Sequence, residues 1–137
     1  MGRWFDAFNG KAVKQADYDK ISKFAFDLIG MSMVSMSQGD VKRHENKISV
    51  FASGFIQSMG RGVGLNDEEC IETMLVFLTK HVQYEPAQAG NAIKLIAQLQ
   101  ATPEGLSLMR AGSQAFADMF ANNMAAAVSA LPNALQT

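Results

Sequence analysis

From Asp17 onward, apolar positions recur at three- and four-residue intervals, and no long stretch alternates with period two. This pattern predicts an all-α chain, a single-domain bundle of about five helices, mostly antiparallel. The first helix is expected over about Asp17 to Ser37, with Ile21, Phe24, Ala25, Leu28, Met31 and Ser35 on its buried stripe. Gln38-Gly39-Asp40 interrupts it, and Asp40 is placed to cap a second helix over about Val41 to Met59. That helix turns Val41, His44, Ile48, Phe51, Ala52, Phe55, Ile56 and Met59 inward and Ser53 and Gln57 outward. Gly60, Gly62 and Gly64 then close it.

A third helix opens at Asn66, with Glu69 completing a capping box. Cys70, Ile71, Met74, Leu75, Phe77, Leu78, His81 and Val82 cover more than half its circumference, so it is expected at the centre of the bundle. Pro86 starts a fourth helix that reaches Gln100, and Thr102-Pro103 starts a fifth. The fifth is expected to point Leu106, Met109, Ser113, Phe116, Phe120, Met124 and Ala127 inward and to end at Pro132.

The two ends read differently from the middle. Residues 1–16 form an aromatic segment and polar linker ahead of a bundle domain at 17–137. Trp4, Phe5 and Phe8 fall on one side of a short helical turn, where they serve as anchors for a partner or as a lid over their own bundle. At the other end, Met119 to Thr137 contains no charged residue. Such a surface suits packing against a twin or a partner, or burial in its own core.

Composition narrows the function classes. A chain of 137 residues, 48% hydrophobic and 18% charged, can build a core without disulfides or metal. The single cysteine, Cys70, fits a reducing cytoplasm, the expected localisation. No apolar run approaches the roughly 20 residues of a membrane span, and the first ten residues lack the basic-then-apolar order of a signal peptide. A net charge of −1 argues against wholesale nucleic-acid binding. Lys42, Arg43 and Lys47 nevertheless form a basic patch that suits an acidic partner or plain solvation.

Candidate chemistry is sparse. The Gly60–Gly64 cluster precedes a helix, but Asp67, Glu68 and Glu69 would repel a phosphate there, which leaves a hinge. Cys70 shares its turn with Glu68, Glu69 and Glu72, which oppose a thiolate, so it reads as a packing residue. His44 and His81 lie on apolar stripes; His81 and Glu85 have i, i+4 spacing, but Pro86 disrupts that turn. No catalytic grouping emerges, so the chain is expected to be no enzyme and to need no cofactor and no metal.

The turn Ser37-Gln38-Gly39-Asp40-Val41, followed by Glu45 and Ile48, resembles the helix-turn-helix element of TerB-like all-α domains through Gly39, Val41 and Glu45. The resemblance implies a small helical module. In that family the loop, with a second copy, can hold a divalent cation; here Gln38 replaces the acid and no second acidic loop is found. The expected function is that of a non-catalytic protein-interaction or oligomerising accessory protein, with Trp4, Phe5, Phe8, Phe116, Phe120 and Met124 at the contact. The alternative is a small-ligand or metal-binding sensor with an apolar pocket lined by Met31, Met33, Met74 and His81.

Overall fold

Helix-capping chemistry sets most of the element boundaries in the computed structural model, which describes residues 2–136, with side chains from Gln15 onward. Among these, seven α-helices follow in order: α1 (Gly2–Ser32), α2 (Gln38–Arg43), α3 (Glu45–Gly62), α4 (Asp67–Val76), α5 (Pro86–Gln100), α6 (Pro103–Phe120) and α7 (Met124–Gln136). A π-helical segment, Phe77–His81, continues α4. The all-α, single-domain expectation holds, with seven helices in place of about five. The side chains of Trp4, Phe5 and Phe8 lie outside the described residues.

Two breaks raise the number of helices. The second predicted helix divides at His44, which ends α2 and starts α3. The fifth divides at residues 121–123, where Asn122 adopts a left-handed φ of 62°, a conformation asparagine tolerates better than most residues. Pro132 does not stop α7, which continues to Gln136. Burial explains its persistence: Ala127 and Leu131 are fully buried ahead of the proline, and Ala134 and Leu135 pack on the core beyond it. The cap of α2 is Ser37 and not Asp40: the Ser37 hydroxyl accepts from the Asp40 N–H at 3.1 Å.

This seven-helix array overturns the TerB-like resemblance. That likeness stood on one helix-turn-helix element, and here Gln38–Arg43 is only a six-residue helix within a larger bundle.

The central helix is α3, not the one that follows it. Every residue from Ile48 to Ile56 is buried, including Ser49, Ser53 and Gly54. Small side chains explain the difference, because they let neighbouring helices close over a face that reads as polar. The Ser53 hydroxyl accepts from Gln57 at 3.2 Å and Gln100 at 3.1 Å, while Ser113 donates to the Gly54 carbonyl at 3.2 Å.

The contact with α6 is backbone on backbone. A Cβ at Gly112 would lie 2.1 Å from the Phe51 carbonyl oxygen, and one at Gly54 would lie 2.1 Å from that of Met109. The buried face of α6 is therefore Gly105, Leu108, Gly112 and Ala115, whereas Leu106 and Phe120 point outward. Around this pair, α5 packs on α3, α4 and α6, and α7 closes against α6 and α1.

Candidate functional site

At the end of α4 the chain winds too widely for an α-helix. The Val82 N–H donates to the Phe77 carbonyl five residues back, at 3.0 Å, and the Tyr84 N–H donates to Leu78 at 2.9 Å. Gln83 between them has φ 68°, a strained conformation for a residue with a side chain. One-turn π segments of this kind recur at functional sites. Glu85 then leaves the helix altogether: its N–H donates to Gln88 Oε1 at 3.0 Å, at the start of α5.

The wide turn holds His81 against α1. Its ring stacks on Phe26, centroids 5.3 Å apart and planes 26° from parallel, and Phe26 in turn meets Phe77 edge-on at 6.4 Å. His81 Nε2 is buried and has no hydrogen-bond partner among the described residues. An unsatisfied buried polar atom costs about 1–3 kcal/mol. Burial pushes the His81 pKa below its ordinary value, and the adjacent Lys80 adds to the effect. The imidazole is consequently neutral at pH 7.

His81 lines a groove of about 610 Å³. Buried Ile29, Ile48 and Phe77 contribute its most enclosed apolar surface, while Phe26, Met33, Met36, Val41 and Val82 extend it outward. Gln38, Lys42, Glu45, Ser49 and Tyr84 supply the other polar groups. The Tyr84 hydroxyl donates to Glu45 Oε1, tying the exit of the π turn to the start of α3.

Of the four residues expected to share a pocket, the structure brings Met33 and His81 together. Met31 is 46% exposed, and Met74 lines a smaller cavity of about 280 Å³ with Cys70, Ser53, Arg61 and Gln100. Burial raises the Cys70 thiol pKa, against a smaller opposing pull from Arg61. Sequence reasoning missed Phe26, Met36, Glu45 and Tyr84. Phe26 carried a signal, since it is an aromatic beside Phe24 that fits no stripe.

The other predicted residues fall elsewhere. Phe116 is half-buried, edge-on to Phe55 at 5.7 Å and 86°, and its ring lies 6.0 Å from that of Phe120. Phe120 is 80% exposed, and it opens a run from Phe120 to Ala125 in which every residue is exposed and uncharged. The basic residues are dispersed. Arg43 pairs with Asp40, Lys47 reaches Glu104 on α6 at 2.6 Å, and Lys42 lines the groove.

Among the described residues, no three or more His, Cys, Asp or Glu side chains are grouped so as to hold a metal. Nor is any helix among them long and apolar enough to cross a membrane. No family model, no curated protein and no solved structure matches the chain.

Proposed function

We propose that this chain is a non-catalytic helical protein of the cytoplasm that works by protein association, first with a second copy of itself. The observation that carries the proposal is Phe120, 80% exposed at the corner between α6 and α7. Its ring is not a loose surface side chain, since it rests on Phe116, which is rooted edge-on against the fully buried Phe55. An aromatic already held in place loses little conformational freedom on binding, which is the character of an interface anchor. Met124, 39% exposed, lies across the corner, and no charge interrupts the run between them. A net charge of −1 gives two copies little mutual repulsion. Trp4, Phe5 and Phe8 complete the proposed contact as a second aromatic group. The lone buried thiol of Cys70 suits a reducing compartment.

Sedimentation velocity over a concentration series tests this reading. The wild-type chain is expected to dimerise at high micromolar concentration, and Phe120→Ser to shift it toward monomer with an unchanged circular dichroism spectrum. A wild-type chain that stays monomeric throughout the series would refute the self-association.

A further inference from the structure

We propose that two copies of this chain associate by exchanging α7: residues 121–123 straighten, α6 and α7 become one continuous helix, and each α7 docks on the α1 and α6 of the other copy. The inference rests on the self-association proposed above and gives it a mechanism. Two observations mark 121–123 as the hinge. From Ser113 to Leu131 the chain has neither glycine nor proline, and Leu106, Met109, Ser113, Phe116, Phe120, Met124, Ala127 and Leu131 keep three- and four-residue spacing straight through the break. The sequence therefore supports a helix where the structure bends. The bend is made at Asn122, with φ 62°, and the Asn123 N–H closes it by donating to the Asp118 carbonyl at 2.8 Å. Asparagine tolerates this left-handed conformation less freely than glycine. A short connection under strain invites exchange, because straightening relieves the bend while the twin returns every docked surface.

The arm itself suits exchange. Helix α7 carries no charge and packs on α6 and α1, with Ala127 and Leu131 fully buried. An exchanged α7 restores those contacts, so the core loses nothing. The gain lies at the hinge. In a straight helix Phe116, Phe120 and Met124 are successive i, i+4 positions on one face. A two-fold axis through the hinge sets that face against its own copy. It thereby covers Phe120 and Met124, which are 80% and 39% exposed in the single chain.

The test is a spin-label distance measurement on separated monomer and dimer fractions of the full chain. Cys70→Ala removes the native thiol, and Arg110→Cys and Ser129→Cys supply labels at exposed positions of α6 and α7. Labelled chains are mixed with excess unlabelled chain in denaturant and refolded together, so each dimer reports a distance within one chain. The two positions lie about 28 Å apart along one straight helix and about 12 Å apart when the helices run side by side. The dimer is expected to show the long distance and the monomer the short one. Two hinge variants on the native background leave Phe116, Phe120 and Met124 untouched. Asn122→Gly, which eases the left-handed bend and disfavours helix, is expected to weaken dimerisation about tenfold. Asn122→Ala, which does the reverse, is expected to strengthen it about tenfold.

A dimer fraction with the monomer's short distance, or equal dissociation constants for the wild type and both hinge variants, would overturn the exchange and leave self-association through the Phe120 surface standing. A chain that forms no dimer fraction at any concentration would overturn both.

Discussion

An imidazole kept neutral inside an apolar groove makes folding sensitive to acid. The His81 pKa is depressed in the folded chain, so the unfolded chain takes up the proton first as pH falls. The stability that His81 lends is therefore complete above about pH 6.5 and is lost as pH drops through that value toward the depressed one. Groups of both signs face the ring: Lys80 and Lys23 reinforce the depression, and Asp27 and Asp19 oppose it. Glu45 and Lys42 border the same groove. Urea midpoints for wild type and His81→Phe at pH 7.5 and 5.5 check this, and the wild type should lose more stability over that interval. An equal loss in both chains would contradict it. His81 was legible in the sequence as a half-desolvated histidine on an apolar stripe. Met36, which lines the same groove, was not, because the π turn that carries His81 departs from the regular 3.6-residue period on which the reading rests.

At the scale of the element, the contact of α3 with α6 depends on the absence of side chains. Gly112→Ala places a methyl group 2.1 Å from a carbonyl oxygen of α3, an atom fixed in the helix backbone. The expected loss is about 3 kcal/mol or more, the upper end of overpacking costs. Gly90, inside α5, has nothing within 4 Å of the same added carbon, so Gly90→Ala should gain about 0.5–1 kcal/mol from helix propensity alone. Chemical denaturation of the two variants checks both signs. The starts of α4, α5 and α6 were legible because local chemistry determines them: the Asn66–Glu69 capping box, Pro86, and the Thr102 hydroxyl accepting from Gly105. The identity of the central helix was not. Ser53 reads as an outward position, and only the helices that close over it make it interior. For the same reason Phe120, placed inward by its spacing, stands exposed beyond the small-residue face.

Across the whole molecule, the core is shared by helices far apart in sequence. Ile21, Ala25 and Leu28 of α1 are buried in one cluster with Phe51 and Phe55 of α3 and Leu131 of α7. Leu131→Ala should therefore destabilise the entire bundle by about 2–5 kcal/mol and not merely loosen α7. Thermal melts followed by far-ultraviolet circular dichroism and by tyrosine signals should shift together; a separate early transition confined to α7 would contradict this. The contact between α1 and α7 also bears on biosynthesis. A ribosome makes α1 ahead of α3, α4 and α7, the helices that pack on it, and α7 closes over it last. Until α7 arrives, the part of α1 that it covers stays open, an apolar surface of the kind that holding chaperones grip.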